Sequence, residues 1–199
     1  MSELAMHEMD LLTQQLAERA AAEGLIDVSY RLLDSPLGQL MLASTERGMV
    51  RVAFAAEDFD TVLGVLANKV GVRILHRAAP LDAAATQLDE YFAHRRTHFD
   101  LGLDHQLSSG YRLEVQLALP KIEYGHTMSY KEMAALTGRP AAVRAVGTAC
   151  ATNPLPILVP CHRVLRSDGS LGGYLGGLEA KRVLLDLEKV GSPDGDVGR

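Results

Sequence analysis

From Leu25 onward the chain reads as three short runs rich in apolar residues, Val28–Leu33, Gly38–Ala43 and Met49–Phe54, parted by the turn formers Asp34-Ser35-Pro36 and Glu46-Arg47-Gly48. Runs of this length with short links predict an antiparallel meander. The period then changes. Phe59–Lys69 predicts a helix, Val72–His76 a short strand, and Leu81–His94 a longer helix with Leu81, Ala84, Leu88, Tyr91 and Phe92 on one side. Ahead of this body, Ser2–Glu23 is rich in Ala, Leu, Glu and Gln, with Met9, Leu12 and Leu16 near helical spacing and Gly24 as a stop, and predicts a helical extension.

After a polar, Gly-containing connector, Asp100–Ser109, the pattern is mostly helical. Ser109 is placed to cap a helix bearing Tyr111, Val115 and Leu119, which Pro120 ends. Ser129-Tyr130-Lys131-Glu132 has the form of a capping box opening a second helix, with Met133 and Leu136 inward and Gly138 as its stop. A third helix is predicted to start at Pro140, so close behind that the pair has the form of a helix-turn-helix. Val143, Val146 and Cys150 predict its core stripe. Ala141, Arg144, Ala145 and Thr148 make a face of small residues around one arginine, suited either to a nucleic-acid groove or to close helix packing.

Composition narrows the classes. With 199 residues and 47% hydrophobic content the chain can bury a sizeable core. No stretch reaches the roughly 18–20 apolar residues of a membrane span, and two cysteines without a spacing pattern fit a reducing cytoplasm better than a disulfide framework. The net charge of −5 hides an asymmetry: residues 1–107 carry nine Lys/Arg against sixteen Asp/Glu, and residues 108–190 carry ten against seven. Any polyanion is therefore expected on the second half. His76, His94, His98 and His105 lack metal-ligand spacing, so no metal is expected.

The candidate chemistry lies in Pro156–Val164, where Cys161, His162 and Arg163 follow one another directly. Pro154, Pro156 and Pro160 exclude a helix, and Ile157–Val159 predicts buried extended chain leading to the cysteine. A cysteine reacts as thiolate and needs a base or cation nearby. Neighbouring residues point apart in a strand and do not face each other in a helix, so His162 is expected to reach Cys161 through a water. Its other nitrogen needs an acceptor. Glu188, beside Leu184 and Leu185 in a predicted final helix Gly177–Lys189, is the candidate; the alternative is a glutamate at the solvent rim. Between them Gly172-Gly173-Tyr174-Leu175-Gly176-Gly177 is either a pocket wall that lets backbone approach a flat ligand or a surface turn.

The run Asn153-Pro154-Leu155-Pro156-Ile157-Leu158-Val159-Pro160-Cys161-His162-Arg163-Val164 closely resembles the active-site signature of the O6-alkylguanine-DNA alkyltransferases. The likeness continues over Tyr124–Glu188 and more loosely over Leu25–Leu119. It implies an α+β fold in which a ribonuclease H-like α/β domain with a small antiparallel sheet precedes a mostly helical, winged-helix or helix-turn-helix-like domain. It implies that Cys161 accepts an alkyl group from guanine O6 in double-stranded DNA, in a single irreversible turnover without cofactor. His162 would be the water-mediated base, Glu188 its orienter and Asn153 the brace of the turn. Arg144 would fill the base stack while Tyr130 helps rotate the nucleotide out, with Ala141, Ala145 and Thr148 on the same DNA face. Pro156 and Tyr174 would wall the guanine pocket, and backbone at Cys161, Val164 and Leu175 would read the base edge. O4-alkylthymine is a further possible substrate.

Several positions depart from the family pattern. Leu175 stands where a small or hydroxyl residue is more usual, Arg112 and Gln116 replace the common Gln and Trp, and the N-terminal extension lacks the four-cysteine zinc site of the adaptive-response regulators. The expected layout is a helical extension over 1–24, a scaffold domain over 25–107, an alkyltransferase domain over 108–190 and a disordered tail over 191–199. The protein is expected to be a cytoplasmic monomer. A non-catalytic lesion-binding protein of the alkyltransferase-like kind, with Leu175 blocking transfer, is the alternative, and a cysteine hydrolase a third.

Overall fold

The computed structural model describes residues 17, 19, 20 and 22–190; most of the predicted N-terminal helix and the whole 191–199 tail lie outside the described residues. Strands β1 (Val28–Leu33), β2 (Leu40–Thr45) and β3 (Gly48–Phe54) form the predicted meander. The sheet order is β3-β2-β1-β4, and β4 (Ile74–His76) runs parallel to β1, so the sheet is mixed rather than purely antiparallel. β2 begins at Leu40, later than its apolar run, because Gly38 adopts φ +87° within the hairpin turn. β4 is likewise shorter than its run: Arg73 gives its backbone N–H to the Asp27 carboxylate (3.0 Å), and Val72 is 80% exposed.

Alternation along β2 sends successive side chains to opposite faces, and both faces are covered. Met41 and Ala43 pack with Val50, Ala53, Val62 and Leu66 beneath helix α1 (Phe59–Lys69). Leu40 and Leu42 pack with Leu81, Leu88 and Tyr91 around helix α2 (Asp82–Phe92). That second cluster does not stop at the sheet. It continues through Val115, Met133, Val146 and Cys161, so sheet and helical domains share one core.

The helical domain holds α3 (Gly110–Ala118), α4 (Tyr130–Leu136), α5 (Val143–Ala151) and α6 (Gly177–Val190), with a parallel pair β5 (Met128–Ser129) and β6 (Val164–Leu165). The capping box at α4 is formed: Ser129 Oγ accepts from Glu132 N–H (3.1 Å), and Glu132 accepts from Ser129 N–H (2.7 Å). Ser109 stands at the N-cap of α3 but makes no side-chain cap bond; its carbonyl accepts from Leu113 N–H at 3.4 Å. α5 starts at Val143, not Pro140, because residues 138–142 close a turn through Arg139 N–H to Ala134 O (2.9 Å) and Ala142 N–H to Arg139 O (2.8 Å). Val143 therefore sits at the open end of α5 and is 36% exposed, and the buried stripe is Val146, Ala149 and Cys150.

Candidate active site

Residues 153–160 are coiled rather than extended. The prolines do exclude a helix, but Ile157 takes φ +73° and Val159 N–H returns to Leu155 O (2.8 Å), closing a buried turn. A turn buried this deeply needs partners for its backbone, and Asn153 supplies them. Its Oδ1 accepts from Leu155 N–H (3.1 Å), while its Nδ2 donates to Val159 O (2.9 Å) and to Cys161 Sγ (3.1 Å). The sheet domain holds the same turn from outside: Pro154 O accepts from Val52 N–H (2.9 Å) and from Arg51 Nη1 (3.2 Å).

Cys161–Arg163 is a single 3-10 turn, and its side chains diverge. His162 Nε2 lies 2.8 Å from Glu188 Oε1. Arg163 donates Nε to Glu188 Oε2 (2.8 Å), Nη2 to Oε1 (2.9 Å) and Nη1 to Ile122 O (2.6 Å). Tyr91 Oη donates to Oε1 at 2.7 Å and Gly125 N–H to Oε2 at 3.3 Å. Glu188 is 1% exposed, so it is not a rim residue. Burial pushes its carboxyl up, but the hydrogen bonds and charges of His162 and Arg163 outweigh that and hold it down at about 2.

An ionised carboxylate only accepts hydrogen bonds, so His162 must carry its proton on Nε2. Its Nδ1 then presents a lone pair, and that atom has no hydrogen-bond partner among the described residues. Burial lowers the imidazole below its ordinary value, against the opposing pull of Glu188, so the ring is neutral at pH 7. Burial pushes the Cys161 thiol up to about 11, opposed by the Asn153 hydrogen bond and the charge of Lys181. At rest the thiol is thus protonated and the imidazole neutral.

The glycine-rich loop packs against the body of the protein and is not a free surface turn. Tyr174 is buried, edge-on to Phe54 of β3 (centroids 5.7 Å) and to His162 (6.4 Å). A Cβ on Gly172 would fall 2.1 Å from Tyr130 Oη, and one on Gly176 would fall 2.7 Å from the Phe54 ring. Tyr130, half-buried at the start of α4, has its phenol pushed up to about 12, first by burial and then by Cys150 and Cys161. Pro156 and Val164 are buried beside the turn. Leu175 is half-buried and lines a cavity of about 300 Å³ with Arg51, Glu57, Lys69, Arg112 and Pro154. Ala141, Arg144, Ala145 and Thr148 are all exposed; Ala141 lies in the turn before α5 and not on the helix as expected, so the open small-residue face of α5 is Arg144, Ala145 and Thr148.

Two groups at the site escaped the sequence reading, and a third had no partner assigned. Tyr91 was legible only as part of an apolar stripe. Arg163, singled out in the sequence beside Cys161 and His162, proves to be the bidentate partner of Glu188. Lys181 is fully buried, donates Nζ to Val164 O (2.6 Å) and lies 5.9 Å from the Tyr130 ring centroid. Its signal was available: Lys181 and Glu188 stand at i and i+7 on the apolar face of one helix, and a buried charge at such a position requires a partner.

Fold and site together define a two-domain α+β protein whose helix-turn-helix domain holds a buried thiol backed by an imidazole and a carboxylate. Residues 28–105 match the 6-O-methylguanine DNA methyltransferase ribonuclease-like domain and residues 111–190 match the 6-O-methylguanine DNA methyltransferase DNA binding domain. The chain belongs to the 6-O-methylguanine DNA methyltransferase family. A methylated-DNA–protein-cysteine methyltransferase of Mycolicibacterium paratuberculosis is 40% identical over 166 residues, covering 83% of this chain and 95% of the relative. The constitutive methylated-DNA–protein-cysteine methyltransferase of Bacillus subtilis is 39% identical over 163 residues, 81% of this chain and 95% of the relative. The crystal structure of Mycobacterium tuberculosis OGT in complex with DNA superimposes with a TM-score of 0.73 at 38% identity, covering 84% of this chain and 96% of that one.

Proposed function

We propose that Cys161 is the residue that receives the alkyl group. The protein acts in direct-reversal DNA repair, as a methylated-DNA–protein-cysteine methyltransferase that transfers an alkyl group to its own cysteine, with DNA as its partner. The observation that carries the assignment is the hydrogen-bonded series Asn153–Cys161 and His162–Glu188, with the unprotonated Nδ1 turned away from Glu188. In this reading a water passes the thiol proton to His162 Nδ1, and the developing imidazolium is stabilised by ionised Glu188. Sulfur then attacks the alkyl carbon in line. The carbon–O6 bond breaks, its electron pair stays on guanine, and the relayed proton ends on the departing base. A thioether is not hydrolysed under these conditions, so the turnover is single.

The alkylated base lies inside the duplex, and flipping it costs a few kcal/mol. The exposed face of α5 supports a role in that step: Ala145 and Thr148, with Ala141 in the turn ahead of them, let the helix approach a groove, and Arg144 fills the gap left in the stack. Tyr130 assists rotation, and Pro156, Tyr174 and backbone at Val164 and Leu175 hold the base. We place the domain division at 107/108 and read the protein as a monomer working on O6-alkylguanine DNA in the cytoplasm; no described helix is long and apolar enough to cross a membrane.

The decisive experiment is incubation with duplex DNA containing O6-methylguanine, followed by mass spectrometry of the digested protein. One methyl mass is expected on the peptide containing Cys161, at one per molecule, and none in Cys161→Ala. Repeated turnover, or an adduct on Cys150, would overturn the assignment. In the same assay Arg144→Ala is expected to slow transfer by about tenfold to a hundredfold, equivalent to about 1.4–3 kcal/mol at the flipped state, while leaving the adduct site unchanged.

A further inference from the structure

Tyr91 belongs to the sheet domain, yet its hydroxyl reaches the carboxylate behind His162. Its ring is fully buried among Phe92 (5.5 Å), Phe99 (5.3 Å) and Tyr124 (6.1 Å, near perpendicular), which leaves the phenol one direction to point. That direction ends at Glu188 Oε1, 2.7 Å away. The same oxygen receives His162 Nε2 at 2.8 Å and Arg163 Nη2 at 2.9 Å, whereas Oε2 receives only Arg163 Nε and Gly125 N–H. The oxygen that orients the histidine is therefore also the one most heavily shared.

We propose that Tyr91 is a positioning residue of the active site, a hydroxyl supplied by the sheet domain that fixes Glu188 Oε1 and tempers its hold on His162. Each donor on a carboxylate oxygen draws off part of the negative charge available to the others. With Tyr91 in place the imidazole is oriented without becoming so basic that it is protonated, and lost as a base, near neutral pH. Burial and the neighbouring Glu188 push the Tyr91 phenol well above its ordinary value, so it remains a donor across the working range. The titratable groups facing His162 are Glu188 and Lys181 from α6, Arg163 and Cys161 from its own turn, Tyr174 from the glycine-rich loop and, through Glu188, Tyr91 from α2. Among these only Tyr91 comes from the sheet domain.

The inference rests on His162 acting as the base for Cys161. Tyr91→Phe keeps the ring and removes the donor. In single-turnover alkylation of O6-methylguanine DNA across pH 5–9, the acid limb of the rate is expected to move upward by about half a unit to one unit. The final adduct should remain one per molecule at Cys161. Site-specific 3-fluorotyrosine at position 91, a more acidic phenol and a stronger donor, should move the limb the other way. The His162 ring nitrogen resonances of the free protein should shift in the same two directions. A packing control, Phe99→Leu, touches the Tyr91 ring but not Glu188 and should lower stability without moving the limb. Equal loss of rate at all pH values in Tyr91→Phe, or limbs that stay fixed in both variants, would overturn the role of Tyr91 and leave Cys161 as acceptor intact. Absence of any adduct in the unaltered protein would instead remove the reading on which it rests.

Discussion

Glu188 gathers five donated hydrogen bonds, and its charge is the counter-charge of Arg163. Glu188→Gln would leave the Arg163 guanidinium buried without a counter-charge, at a cost of about 3–5 kcal/mol, read as a fall in Tm. The pH dependence follows from the same group. Its folded value is about 2 against 4.5 when unperturbed, so its contribution to stability is complete above about 4.5 and fades as pH falls toward 2. His162 is also lowered on folding, from 6.5, so its contribution is present above that value and declines as pH falls through its folded value. Chemical denaturation between pH 7 and 3 should show stability falling throughout for the unaltered protein, with a flatter segment below 4.5 in Glu188→Gln. A glutamate on an apolar helix face was legible as a residue in need of a partner, and so was a histidine in need of an acceptor. The partners of Arg163 and Tyr91 were not, because sequence adjacency says nothing of which way a 3-10 turn throws its side chains, and an apolar stripe says that a tyrosine is buried but not what its hydroxyl meets.

Among the elements, the glycine-rich loop makes the sharpest demand on its residues. Gly172 lies against Tyr130 and Gly173 faces open space, so two neighbouring glycines give a paired test. Gly172→Ala should push Tyr130 aside, costing about 1–3 kcal/mol and slowing alkyl transfer more than the stability loss explains. Gly173→Ala should be near neutral in both; melts and single-turnover rates decide. The strands, the helices and the capping box at Ser129 could be read from period and punctuation because those are local properties. The turn at 153–160 could not. Prolines there exclude helix but leave several coiled forms open, and the one adopted depends on Asn153 reaching Val159 and Cys161, and on Arg51 and Val52 reaching Pro154 from a strand about a hundred residues away. The start of α5 was missed for a related reason, since backbone bonds within 134–142 decide it and not the proline alone.

At the scale of the whole molecule, the two domains share a core running from Leu42 and Leu88 to Met133 and Cys161, and Tyr91–Glu188 and Arg51–Pro154 tie the site across it. Such a body should unfold as one unit. Far-ultraviolet and near-ultraviolet circular dichroism are expected to give coincident denaturant transitions, and Arg51→Ala should lower the single midpoint rather than split it. The unequal charge of the two halves marked the helical half as the side to meet a polyanion, but it could not show that the scaffold half reaches Glu188 through Tyr91. The position of Glu188 in the closing turns of α6 carries one more consequence, in the order of synthesis. A growing chain leaves the ribosome with Asn153, Cys161 and His162 well ahead of the carboxylate that completes them. Until Glu188 emerges and α6 docks, His162 has no carboxylate to hold its Nε2 proton and Arg163 has no counter-charge. A chain ended before Glu188 is therefore expected to take up methyl from O6-methylguanine DNA far more slowly than the full chain, measured as the adduct on the Cys161 peptide.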